Sequence, residues 1–139
     1  MLNKLRTFLK SLLACSVVSI AGCSQQGLQP LEGQLVLQNG GPFVFAGDTI
    51  ELRSQSDPTQ HAFGEIKPDG KFKIDSLDEG KILQGAKPGE YVARIVIADD
   101  DYEHKKVAAK SINKKFLNFE TSGLSVKVPT SGLTLSISR

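Results

Sequence analysis

The chain has 139 residues, of which 40% are hydrophobic and 23% charged, and its formal net charge is +2. This length suits one domain that is large enough to enclose a hydrophobic core. Its basic excess comes from the N-terminus, because loss of the three basic residues before position 23 leaves 14 Lys and Arg against 15 Asp and Glu. Nucleic-acid binding is not expected, since it depends on clustered basic residues that neutralise phosphates.

The N-terminal segment has the pattern of a cleaved secretory leader. A basic start is followed by a short apolar stretch from Ser11 to Ala21 and then by small residues. The apolar stretch of about 11 residues is too short to span a bilayer, which takes about 20. Residues 1–22 are therefore predicted to be a signal peptide that is removed from the mature protein.

The leader ends in Ile20-Ala21-Gly22-Cys23, which resembles the lipobox of bacterial lipoproteins. The resemblance implies that Cys23 becomes the first residue of the mature chain and carries the acyl chains that bind the membrane. The alternative is ordinary secretion with a free thiol at Cys23. Cysteine usage favours lipidation, because the only other cysteine, Cys15, would leave with the leader and no disulfide could form. Ser24 follows the cysteine where Asp could stand, which by resemblance to Gram-negative lipoproteins implies the outer membrane, facing the periplasm or the exterior.

Residues 23–30 are predicted to be a flexible tether, because Ser24–Pro30 is polar, uncharged and closed by proline. The domain is expected to cover residues 31–139, where short segments alternate apolar and polar residues. Such alternation predicts β-strands with one buried face. Seven segments show it: 31–38, 49–53, 62–67, 71–75, 91–98, 124–128 and 133–138. The fold class is therefore all-β, as a seven-stranded antiparallel sandwich.

The connections between these strands carry turn residues. Pro68-Asp69-Gly70 predicts a tight hairpin with positive φ at the glycine. A second hairpin is predicted at Pro129–Gly132, between the last two strands. The segment 102–118 could hold a helical turn near Glu103–Lys110, but its many lysines are more typical of a polar loop.

Four sequence blocks in this order resemble a known family: Leu31-Glu-Gly-Gln-Leu, Pro68-Asp-Gly-Lys-Phe, Gly85-Ala-Lys-Pro-Gly-Glu-Tyr-Val and Thr121-Ser-Gly-Leu-Ser-Val-Lys-Val. The chain is similar to small lipoproteins of the planctomycete type that carry a carboxypeptidase-regulatory-like, transthyretin-like domain. The resemblance implies a transthyretin-like or Ig-like sandwich. It also implies that Tyr91 buries its ring while its hydroxyl bonds to the backbone.

Catalytic and metal-binding patterns are weak in this sequence. His61 has no glutamate at zinc-peptidase spacing, and we expect it to be a solvated loop residue. The acidic run Asp99–Glu103 beside His104 could bind calcium, but a solvated hairpin tip is the expected structure. Phe43 and Phe45 could form an exposed partner surface, although folding back onto the core is favoured.

These observations predict a lipoprotein with a non-catalytic domain that has a structural or protein-interaction role in the bacterial cell envelope. Its partners would be the membrane, through Cys23, and an envelope protein or glycan. No cofactor, metal or catalytic residue is expected. The alternatives are a carbohydrate- or peptide-binding module, assisted by calcium in one version, and a small hydrolase. The module would need exposed aromatic side chains or an ion site, and the hydrolase a convergent histidine or carboxylate cluster.

Overall fold

A computed structural model describes residues 27–139, so the predicted leader and Cys23 lie outside the described residues. The described chain is mostly β, as predicted, and it forms nine strands, not seven. The strands are β1 (Glu32–Leu37), β2 (Thr49–Ser54), β3 (His61–Glu65), β4 (Lys71–Lys73), β5 (Asp75–Asp78), β6 (Lys81–Gln84), β7 (Gly89–Val96), β8 (Leu124–Val128) and β9 (Leu133–Ile137).

The strands form two sheets. The larger has the order β6-β5-β3-β2-β7-β8 and is antiparallel throughout, and the smaller has the order β4-β1-β9. In the smaller sheet β1 and β9 run parallel, with Leu35 opposite Leu135, so the expectation of a purely antiparallel fold was wrong at this pair. β1 is the central strand of this sheet and β9 is one of its edges, so the pairing joins the first and last strands of the described residues.

Period-two alternation places one face of each sheet in a common core. In β7 the side chains of Tyr91, Ala93 and Ile95 are buried, while Arg94 between them is partly exposed. The buried side chains of both sheets belong to one hydrophobic cluster, which includes Leu35, Phe72 and Ile137 from the smaller sheet. Burial of apolar surface in this cluster is the main favourable contribution to folding.

The connection from β7 to β8 is helical, which corrects the predicted polar loop. It contains α1 (Tyr102–Ser111), a 3-10 turn (Lys114–Leu117) and α2 (Phe119–Ser122). Helix α1 begins at Asp101, whose side chain accepts hydrogen bonds from two backbone N–H groups of the first turn. The helical segment is stabilised because it buries four side chains against the sheets: Ala108, Ile112, Phe116 and Phe119.

Two turns that were predicted to be hairpins connect strands that lie in different sheets. The chain from Pro129 to Gly132 leaves β8 in the larger sheet and enters β9 in the smaller one, so these strands do not pair as a hairpin. The turn at Gly70 likewise connects β3 to β4. Its tightness and the positive φ of Gly70, +80°, are as predicted, and the Gly70 N–H donates to the Lys67 carbonyl at 2.8 Å.

The N-terminal boundary also differs from the predicted tether. Leu28 is buried, and Gln29 forms a two-way backbone bridge with Ala86 at 2.8 and 3.0 Å. These two residues therefore belong to the folded domain. The flexible assignment failed here because a polar, proline-closed segment can still pair with an open backbone edge.

Two aromatic predictions agree with the structure. The ring of Tyr91 is buried and its hydroxyl donates to the Lys87 carbonyl at 2.9 Å, while burial raises the pKa of that hydroxyl. Phe45 is fully buried, and Phe43 packs edge-on against it with 5.6 Å between ring centroids. The 43–45 segment therefore closes the core and offers no exposed aromatic pair.

Gly70 and Gly40 allow the turn between the sheets to be tested. Both have positive φ, but a Cβ on Gly70 would lie 2.5 Å from the Leu35 carbonyl oxygen, whereas one on Gly40 would meet nothing within 4 Å. We expect Gly40→Ala to lower the free energy of unfolding by about 1 kcal/mol and Gly70→Ala by at least about 1 kcal/mol more. Urea denaturation measures both, and equal losses would contradict the close approach.

Candidate functional site

The carboxyl group of Asp48 is fully buried where the loop before β2 meets three other segments. Its Oδ1 atom accepts a hydrogen bond from the Ala98 N–H at 2.9 Å and lies 2.7 Å from Nε2 of His104. Its backbone carbonyl accepts from the Ile66 N–H at 2.8 Å. One residue thus connects the start of β2, the chain after β3, the end of β7 and helix α1.

His104 reaches Asp48 from the first turn of α1. The hydrogen bond to Asp48 is the main reason why the pKa of His104 is raised, and the nearby charges of Asp48, Asp101 and Asp100 add to it against partial burial. The expected solvated hairpin tip was therefore wrong: Asp101 caps a helix, and His104 makes a buried contact. Sequence pattern could not reveal this contact, because Asp48 and His104 are distant along the chain.

The Asp48 and His104 pair has the components of a proton-transfer dyad but lacks a nucleophile. Within residues 27–139, no serine or threonine hydroxyl hydrogen-bonds to either imidazole ring. The second carboxyl oxygen of Asp48, Oδ2, is buried and has no hydrogen-bond partner among the described residues. The pair therefore forms a hydrogen bond that links α1 to the sheet. Protonation of His104 strengthens this hydrogen bond by making it ionic.

A second polar cluster lies on the outer face of the larger sheet, around the ring of Phe119. The guanidinium groups of Arg53 and Arg94 lie 4.4 and 4.6 Å from the centre of this ring. Arg94 also donates to Oε2 of Glu51 from Nε at 2.7 Å and Nη2 at 2.6 Å. Arg53 in β2 and Arg94 in β7 point outward and form a cationic surface. Phe119 packs on this surface and holds α2 on the sheet.

His61 belongs to the edge of this cluster. It is exposed, as predicted, but it begins β3 instead of lying in a loop. Its Nδ1 atom lies 3.1 Å from Oε1 of Glu51, its Nε2 atom lies 3.0 Å from the Pro58 carbonyl oxygen, and its ring faces Phe119 edge-on at 6.0 Å. Both ring nitrogens are therefore engaged within the domain.

A cavity of about 440 Å³ lies between the smaller sheet and the β3 side of the larger one. Its rim consists of paired charges: Lys67 with Glu65 and Lys73 with Glu32 at 3.0 Å each, and Lys71 with Asp69 at 3.9 Å. Alternating exposed pairs of this kind contribute little to stability. Asp75 also lines the cavity and adds one acidic residue to these balanced pairs.

Metal and membrane features can be stated for residues 27–139 only. No group of three or more His, Cys, Asp or Glu side chains in this range is arranged to hold a metal ion. No helix in the same range is long and apolar enough to cross a membrane. Cys23, the one site residue predicted from the sequence, lies outside the described residues.

Comparison of the chain with protein-family models, with curated proteins and with solved structures found no match.

The Asp48 and His104 contact predicts pH-dependent stability. Because the pKa of His104 is raised in the folded protein, its contribution is complete below the unfolded value of about 6.5 and decreases as the pH rises through the folded value. We expect His104→Gln to lower the free energy of unfolding more at about pH 5.5 than at about pH 8.5. Urea titrations at both pH values measure this difference. In an Asp48→Asn background the difference should lose its pH dependence, and its persistence there would contradict the assigned contact.

The Phe119 cluster predicts energetic coupling between an arginine and an aromatic ring. A double-mutant cycle of Arg94→Met with Phe119→Leu should give a coupling free energy of about 0.5–2 kcal/mol, because both variants retain apolar bulk and remove the cation or the π face. Lys73→Met provides the control, since Lys73 lies in the smaller sheet and should couple to Phe119 by less than about 0.5 kcal/mol. A cycle with Arg94 that gave no more coupling than the control would contradict the stacking.

Proposed function

We propose that the protein is a bacterial lipoprotein held in the cell envelope by acyl chains on Cys23. The observation that carries this proposal is the tetrapeptide Ile20-Ala21-Gly22-Cys23 at the end of a basic, then apolar leader. The position of the domain supports it, because Leu28, the first buried side chain among residues 27–139, follows Cys23 closely. Because Ser24 and not Asp follows Cys23, the resemblance to Gram-negative lipoproteins assigns the mature chain to the outer membrane, facing the periplasm or the exterior.

The domain itself is proposed to be a transthyretin-like sandwich related to the carboxypeptidase-regulatory-like domains of planctomycete-type lipoproteins. Two sheets with one common hydrophobic cluster support this assignment. The buried Tyr91, with its hydroxyl on the Lys87 carbonyl, matches the role that the Gly85–Val92 block implied. The block joins β6 to β7 within the larger sheet, so it does not carry the chain from one sheet to the other, as the sequence had implied.

The proposed role of the domain is structural or interaction-based, without catalysis, and its partner is an envelope protein or glycan. The internal contacts made by the histidine and arginine side chains support this role. His61 is bonded to Glu51 and Pro58, His104 is bonded to Asp48, and the arginines of the outer face stack on Phe119. Side chains that are committed to internal contacts stabilise the fold and are poor candidates for binding or transforming a substrate.

Replacement of Cys23 tests the anchor. One acyl chain binds membranes with a constant of only about 10⁴ M⁻¹, whereas two or more chains hold a protein stably. We expect Cys23→Ser to leave the protein unprocessed or to move it from the membrane fraction to the soluble fraction in a Gram-negative host. Cys15→Ser is the matched control and should be processed and anchored normally. Intact-mass spectrometry of the mature wild-type protein with an unmodified thiol at Cys23 would refute the proposal.

A further inference from the structure

The hairpin of β5 and β6 exposes the two most accessible large aliphatic side chains of the described structure, and only the amphipathic ring of Tyr102, in α1, is more exposed among its large hydrophobic residues. Leu77 is 61% exposed and Ile82 is 66% exposed. They lie directly opposite each other across the two strands, so they share one face of the hairpin. We call them the Leu77–Ile82 pair. The pair lies at the edge of the larger sheet, because β6 is its terminal strand.

The hairpin lies beside the place where the chain enters the domain. Gln29 bridges Ala86, which follows β6 closely. Leu28 lines a cavity of about 210 Å³ together with Leu77 and Asp78. The N-terminal segment therefore leaves the domain next to the Leu77–Ile82 pair.

The strand register places the hairpin tip at one end of the domain. In β5, Ser76 is opposite Ala62, which places Leu77 beside His61 at the beginning of β3, and the chain from Asp78 onward extends past it. The Asp48 and His104 contact lies at the opposite end, beside the end of β7. The chain entry and the exposed apolar pair thus share an end, and helix α1 begins at the other.

We propose that the Leu77–Ile82 pair docks on the surface of the bilayer that holds the acylated Cys23. The inference rests on the proposed lipid anchor and adds an orientation to it. Cys23 and Gly27 are four residues apart, so a fully extended chain between them spans at most about 14 Å. A domain held this closely brings its entry end to the lipid surface, and the exposed apolar pair at that end is the element suited to enter the interface.

The charges around the pair determine the kind of lipid contact. The hairpin tip carries Asp78, Glu79 and Lys81, so it has no cluster of basic residues of the kind that recognises anionic lipid headgroups. The contact is therefore apolar, and uncharged zwitterionic lipids are sufficient for it. Docking in this way directs α1 and the His104 end away from the membrane.

Fluorescence quenching in vesicles tests the docking. The mature protein with its acylated Cys23, which no longer contains Cys15, is reconstituted into phosphatidylcholine vesicles. A single introduced cysteine carries an environment-sensitive dye, at the hairpin tip in Glu79→Cys or beyond the far end of β1 in Asn39→Cys. We expect spin-labelled lipids to quench the dye at position 79 and to leave the dye at position 39 unquenched.

A second comparison assigns the quenching to the apolar pair. Adding Leu77→Asn with Ile82→Asn to the Glu79→Cys protein should abolish quenching, and both positions are exposed enough to accept the change. Val107→Asn replaces another exposed apolar residue, in α1, and should leave quenching unchanged. Retained quenching in the Leu77→Asn and Ile82→Asn protein would overturn the inference.

Flotation of the vesicles separates the two proposals. A protein that floats but shows equal quenching at positions 79 and 39 retains its anchor and refutes the docking. A protein that fails to float refutes the anchor and the docking together. A dye shift at position 79 that depends on protein concentration and not on vesicles would show that a second copy covers the pair, which also overturns the inference.

Discussion

The buried carboxyl group of Asp48 is the constraint that holds the helical segment to the β core. It binds the Ala98 N–H and His104 through one oxygen atom, while its backbone carbonyl accepts a hydrogen bond from Ile66. Burial of a carboxyl group is costly unless hydrogen bonds or opposite charge compensate it. The end of β7 and the beginning of α1 must therefore stay where they can supply those partners. The position of Asp48 therefore fixes the start of the helical connection between β7 and β8.

The outer face of the larger sheet fixes the end of the helical connection between β7 and β8. The ring of Phe119 contacts the guanidinium groups of Arg53 and Arg94, and the carboxylate of Glu51 holds Arg94 in place. A planar guanidinium can stack on a ring and bind a carboxylate at the same time, which a lysine ammonium cannot do equally well. The helical segment is thus attached by the Asp48–His104 hydrogen bond at its start and by stacking of Phe119 on arginine near its end. Between them, buried Ile112 and Phe116 pack against the hydrophobic cluster.

The two ends of the domain differ in chemical character. The end with Asp48, His104 and the cap of α1 is held together by hydrogen bonds, and its one exposed ring, that of Tyr102, is amphipathic. The entry end carries the Gln29 bridge and the exposed apolar residues of the β5 and β6 hairpin. Under the proposed N-terminal anchor, the entry end faces the membrane and the Asp48 end faces away from it. The proposed orientation follows from this asymmetry and from the short distance between the anchor and the fold.

Local sequence determined the features that depend on neighbouring residues: the alternation that forms most strands, the positive φ of Gly70, the burial of Tyr91 and the leader pattern that ends in Cys23. Long-range contacts decided the rest. The helix at Tyr102–Ser111 was missed because its lysines mask a sparse apolar face, and its stability depends on Asp48. The separation of β8 and β9 into different sheets depends on the parallel pairing of β9 with β1. No local pattern encodes such partners, because a hydrogen bond or a strand pairing between distant residues forms only after the core has brought them together.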